Sequence, residues 1–290
     1  LLSAYLLGIG ILTALFTATP FLPGLFGGSA EPSMLEIFTL GRNLFWVSGI
    51  ILILASGVLI PITALGALAG ERDNRTMDLL MVTTLRPWDI IWGKMLSACL
   101  TGLVYLIAPL PLVLTSFWLG GVSVAELLLL MLVVMVVMVL SCSWALFFSA
   151  IVRKTLSAVL LYYVLNLATI PILLVITVLL GNAYDVMSYS HSFSTTRSLF
   201  LATLVQYGWV LLCGFHPIYA AVASELLGTE HQSWFILHFD INHYDPLTDK
   251  MSLLGTVALP SPWIIYVILG VATSAVLLWL TTKRLGRVER

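Results

Sequence analysis

The residues best suited to chemistry in this sequence cluster late in the chain. His238, Asp240, His243 and Asp245 bring two imidazoles and two carboxylates into eight residues. Such a set could hold zinc or a similar cation. The pattern His-Glu-x-x-His, which places two ligands and a base on one helical face, is absent. Polar loops also collect these residue types without binding anything. We therefore expect no metal site, with those four residues as the only candidates for one. No Ser-His-Asp order and no carboxylate pair suggests catalysis elsewhere, so no catalytic residue is expected.

Nucleotide chemistry fares no better. A phosphate-cradling loop needs Gly-x-x-x-x-Gly-Lys-Ser/Thr after a strand. At the Gly93-Lys94 pair, Trp88 stands where the first glycine belongs and Met95 where the hydroxyl belongs. Cys99, Cys142 and Cys213 lie in apolar stretches without ligand spacing, as small buried hydrophobes do.

The elements that would position these residues are set by composition. Hydrophobic residues make up 60% of the chain and charged residues 9%. Soluble domains carry roughly 25% charged residues because their surface meets water. A chain so poor in charge meets lipid over most of its length, and only helices or closed barrels satisfy their backbone there. The expected fold is an all-α integral membrane protein forming a single transmembrane domain over 1–290. Membrane lipid is its surroundings and no nucleic acid partner is expected, while the net charge of -1 says nothing useful about partners.

Apolar stretches long enough to span fall at about 1–19, 45–69, 95–119, 125–152, 157–180 and 263–282. In the fourth, 127–140 consists only of Leu, Met and Val. At about -0.5 kcal/mol per residue, that run favours insertion by roughly 7 kcal/mol. The chain begins at Leu1, already apolar and without Met, so a short preceding segment is expected.

Orientation follows from the basic residues. Arg72, Arg75, Arg86 and Lys94 lie between spans two and three, and Arg153 and Lys154 between spans four and five. Lys283, Arg284, Arg287 and Arg290 follow span six. All fall on one side, which the positive-inside bias makes cytoplasmic. The segment 181–262 is then external and holds all five histidines. Its apolar stretch 199–227, broken by Gln206, Gly208, Gly214, His216 and Pro217, cannot cross without putting a basic cluster outside. We expect a re-entrant or interfacial element there. Pro109 and Pro111 in span three, and Asn166 with Pro171 in span five, are candidate kinks.

The cytoplasmic connections are short except 70–94, whose 71–94 run reads ERDNRTMDLLMVTTLRPWDIIWGK. Asn74 or Thr76 can cap a short helix with Asp78 in its first turn. Met77, Leu80 and Met81 then share one face. Pro87 suits the first turn of a second helix that passes Asp89 into span three. On these grounds alone the segment is either an interfacial anchor or a docking surface.

The run resembles the cytoplasmic loop of type-2 ABC exporter permeases, Glu-Arg-Glu-x-Gly-Thr-x-Glu-Leu-Leu, then Thr-Pro-Leu, an acidic residue, Ile and Gly-Lys. In ungapped register this chain has Glu71, Arg72, Asp73, Thr76, Asp78, Leu79, Leu80, Thr83, Leu85, Asp89, Ile90, Gly93 and Lys94. Arg75 replaces the family's glycine and Thr84 its proline. His216-Pro217 resembles the family's Asn-Pro step, and six spans with a long external segment match its layout. The resemblance implies a permease in the cytoplasmic or inner cell membrane, exporting substrate by ATP hydrolysis on a separate ATPase subunit. It implies a second permease partner, identical or related, with spans two and five lining the conduit. ATP and Mg would bind the ATPase subunit, and no cofactor this chain. Glu71, Arg72, Thr76, Met77, Asp78, Leu80, Met81, Pro87 and Asp89 would form the coupling helix and its flanks. The apolar spans favour a hydrophobic or amphipathic substrate.

Two other functions are open to the residues. An ion-driven secondary transporter is one, although the span centres lack ionisable groups. A membrane-bound metal-binding protein using the His238–Asp245 cluster is the other.

Overall fold

The computed structural model describes residues 8, 11, 34–74, 86–152, 154–188, 196–231, 235–245 and 250–288. The helices are α1 (Met34–Asp73), α2 (Pro87–Ile107), α3 (Leu110–Leu119), α4 (Val124–Ile151), α5 (Thr155–Ser188), α6 (Thr196–Cys213), α7 (Pro217–His231) and α8 (Pro262–Val288). One antiparallel hairpin, β1 (Ile236–Asp245) with β2 (Lys250–Pro260), lies between α7 and α8. The molecule is an all-α integral membrane protein in its membrane part. Among the described residues five helices are long and apolar enough to cross a bilayer: Ile37–Glu71, Pro87–Ile107, Val124–Ile151, Thr155–Ala183 and Pro262–Gly286. The expected span at 1–19 lies outside the described residues, apart from Gly8 and Ile11.

The chain divides into two compact units, Leu1–Tyr162 with Thr273–Arg290, and Tyr163–Ala272. In the first, α1 packs against α4, α3 and α2, and α2 packs against α4. With lipid as apolar as leucine, close backbone approach and fitted packing drive this association. Leu52, Ile60, Ala64, Leu65 and Leu68 are fully buried on α1, and Val134, Ala145 and Leu146 on α4 and Ile91 on α2 are fully or nearly fully buried. Gly102 of α2 permits a close crossing. A Cβ there would lie 2.7 Å from Met138 Sδ and 3.0 Å from Ile60.

Span three departs from the single helix expected over 95–119. Helix α2 starts earlier, at Pro87, and ends at Ile107, and α3 follows after Ala108 and Pro109. Pro109 and Pro111 each lack the N–H that would continue the ladder, so the kink becomes a break. The start at Pro87 agrees with its fixed φ, and Arg86 before it is extended (φ -73°, ψ 147°). Helix α1 begins at Met34, well before residue 45, and is apolar enough to span from Ile37 onward. The link from α3 to α4 is a tight turn through Gly120 and Gly121, at φ 86° and 83°. That backbone region suits glycine, and Phe38 leaves no room for a side chain at either position. Helix α4 opens with a reciprocal cap: Glu126 N–H donates to Ser123 Oγ and Ser123 N–H to Glu126 Oε2.

In the second unit the stretch 199–227 forms α6 and α7, separated by a break at 214–216. A Cβ on Gly214 would lie 2.6 Å from Ile265 Cγ2. Tyr219 Oη donates to the Ile170 carbonyl at 3.1 Å, and Trp263 N–H to Ser224 Oγ at 2.9 Å. The hairpin was not expected from the sequence. Leu237 and Leu259, directly paired, are buried, and the register shifts between Ile241 and Asn242.

Candidate functional site

The geometry most able to act on something else lies where α1 leaves the bundle and α2 re-enters it. Residues 75–85, including Thr76, Met77, Asp78, Leu80 and Met81, lie outside the described residues. Their two roots are described. Glu71 sits two residues before the end of α1, where the helix dipole disfavours a negative charge. Lys94, two turns into α2, meets both features: its Nζ donates to Glu71 Oε1 at 2.6 Å and to the Ala67 carbonyl at 2.5 Å. The two side chains are 19% and 25% exposed. One cation therefore ties the outgoing and returning strands of the loop together. It is also spent within the bundle and not offered to a phosphate.

A second tie joins α1 to α5. Asp73 Oδ2 accepts from the Thr155 amide at 3.0 Å and from its hydroxyl at 2.8 Å. Those bonds, with Lys154 nearby, hold the Asp73 carboxyl below its ordinary pKa. Pro87, half-buried, approaches Gly286 of α8, whose added Cβ would lie 3.8 Å from it. The basic residues Arg86, Lys94, Lys154, Lys283 and Arg284 thus gather at one end of the first unit, and Phe38 with Gly120 and Gly121 marks the other.

Above the root, two polar side chains meet the α1 backbone. Pro61 has no N–H to give the carbonyl of Gly57 four residues earlier. Tyr162 Oη donates to that carbonyl at 2.8 Å instead. About two turns on from Gly57, Ser149 Oγ of α4 donates to the Leu65 carbonyl at 2.8 Å. The same oxygen accepts from the amides of Ala69 at 2.8 Å and Leu68 at 3.2 Å. Both donors come from the neighbouring helices, and both side chains are buried.

Of the residues named from the sequence, Glu71, Pro87 and Asp89 are placed at this root. Asp89 is exposed in the first turn of α2, and Arg72 lies in the last turn of α1. Trp88 and Trp92, exposed and edge-on at 5.5 Å, flank Asp89 in the manner of interfacial anchors. Sequence reasoning missed Ser149, Tyr162 and Thr155. Pro61 inside span two carried a usable signal, since it orphans a carbonyl that some donor must satisfy in lipid. Nothing local marked Ser149.

The candidate metal residues fall on β1, with His238 opposite Ala258, Asp240 opposite Thr256, His243 opposite Ser252 and Asp245 opposite Lys250. His238 is exposed. The register irregularity lies between the two halves of this set. Among the described residues no group of three or more metal-binding side chains converges.

Compared with known proteins, residues 3–261 match the sequence model of the family described as ABC-2 family transporter protein. No curated protein and no solved structure gives a match.

Proposed function

This chain belongs to the ABC-2 family of transporter proteins, and on that premise we propose that it is the permease subunit of an ATP-driven exporter. A separate ATPase subunit would bind ATP and Mg, and a second permease would complete the membrane part. The segment Glu71–Asp89 would dock in the ATPase subunit, with Glu71, Arg72, Thr76 and Asp78 setting the docking and Met77, Leu80 and Met81 burying apolar area against the partner. Apolar anchors would carry most of that contact, because single exposed charges contribute about 0–1 kcal/mol each. The basic end of the bundle would face the cytoplasm, and 199–227 would re-enter without crossing.

The observation that carries this reading is the braced root. A loop that merely anchored to lipid would need no rigid footing. Here Lys94 joins its two ends, and Asp73 joins it to α5. A displacement of the loop therefore moves α1, α2 and α5 together, which is what conversion of ATPase closure into bundle movement requires.

The test is co-purification of the tagged permease with its ATPase chain from membranes. Replacing Leu80 and Met81 together by Asp should abolish association while leaving membrane insertion intact. Undisturbed association would defeat the docking assignment. Transport by vesicles holding this chain alone, driven by an ion gradient, would favour the secondary-transporter reading instead.

A further inference from the structure

We infer that Ser149 is a positioning residue that works as a hydrogen-bond switch on α1, setting the state of the helix segment that feeds the coupling loop. The inference rests on the permease reading and specifies how the loop's movement enters the bundle.

Ser149 Oγ occupies both partners of one helical hydrogen bond, the Leu65 carbonyl and the Ala69 amide. It is fully buried, so neither water nor lipid headgroups compete for these groups. A second arrangement is open to the same atoms. If α4 moves away, the Ala69 amide returns wholly to the Leu65 carbonyl, closing the ladder of α1 unaided. The Ser149 hydroxyl then turns to the Ala145 carbonyl, one turn back on its own helix. Neighbouring hydroxyls already make that bond: Ser143 to Val139 at 2.8 Å, Ser56 to Leu52 at 2.6 Å and Thr281 to Leu277 at 2.7 Å. No buried donor is orphaned in either arrangement.

An exchange that conserves its strong hydrogen bonds in a water-free site has two well-defined ends and a small difference between them, the property a switching element requires. Its location is also apt. Its contacts at Leu65, Leu68 and Ala69 bracket Ala67, whose carbonyl Lys94 holds, and end two residues before Glu71, so a pull on the loop root reaches it before the rest of α1. Lys94 ties α1 to α2 within it, at Ala67, Asp73 ties α1 to α5 below it, and above it Tyr162 holds the Gly57 carbonyl that Pro61 leaves open. The segment 57–69 is where α1 can change shape.

The test is amide hydrogen exchange of residues 64–70 in the complete complex in lipid nanodiscs, without nucleotide and with ATP plus vanadate. In the wild type, exchange at Leu68 and Ala69 should differ at least five-fold between the two conditions. Ser149→Ala should remove that difference, and Ser149→Cys, which keeps the volume and a weak donor, should retain part of it. Ser143→Ala, the same chemistry on a hydroxyl bonded only to its own helix, should behave as the wild type. A purely structural role would raise exchange equally in both conditions and leave the difference intact. That result overturns the switch, as does a wild-type segment 64–70 that ignores nucleotide while the loop root responds. If no part of 70–94 responds to nucleotide, the permease reading falls and the switch with it. Should Ser149→Ala fail to assemble, Ser149→Cys decides alone.

Discussion

Replacing Lys94 by Met tests the braced root most directly, because one side chain holds two partners of different kinds. The bond to the Ala67 carbonyl is charge-assisted, a class that contributes about 1.5–3 kcal/mol. The contact with Glu71 is roughly one-fifth exposed, which places it between surface pairs at about 0–1 kcal/mol and buried pairs, whose rupture costs about 3–5. We expect Lys94→Met to cost about 3 kcal/mol. Glu71→Gln removes a charge but keeps the shape and leaves Lys94 its bond to Ala67, so its cost should be about 1 kcal/mol. The two changes should not add. With Lys94 gone, the Glu71 carboxylate has lost this ion pair at the negative end of α1, so neutralising it there should cost less than it does beside Lys94. The assay is a double-mutant cycle on the unfolding midpoint of the purified chain, titrated with SDS in mixed micelles. Additivity within about 0.5 kcal/mol would mean that the pair does not interact and that the brace is not real.

Two further outcomes follow from the packing. Gly102→Ala should cost about 1–3 kcal/mol, because the new Cβ meets Met138 and Ile60. Gly93→Ala on the same helix, with open space around it, should instead be neutral or stabilise by up to about 1 kcal/mol, and thermal unfolding in detergent compares the two. Tyr162→Phe leaves the Gly57 carbonyl without its donor next to Pro61 and should cost about 1–3 kcal/mol. Restoring the helical amide with Pro61→Ala should recover most of that loss.

The membrane class was legible in composition, and four of the expected spans were legible as apolar runs because insertion energy sums over many residues and tolerates error in any one. The break in span three was half legible. Pro109 and Pro111 announced a kink, but whether the helix bends or stops depends on how neighbours satisfy the freed carbonyls. The hairpin 236–260 was not seen. Its alternation of apolar and polar residues is short, and its polar content reads as an external loop.

What the sequence by itself determined is the solvent, the approximate spans and the clustering of basic residues at the span ends, properties carried by residues close together along the chain. What only the tertiary structure decided is how the loop 70–94 is rooted. Lys94 meets Glu71 across 23 residues, and Ser149 meets Ala69 across 80. Hydrogen bonds between helices depend on rotation and depth of packing, and a shift of one residue along α4 would turn Ser149 by about 100° from α1. Hydropathy is blind to that angle; steric fit at Gly102 and its neighbours fixes it.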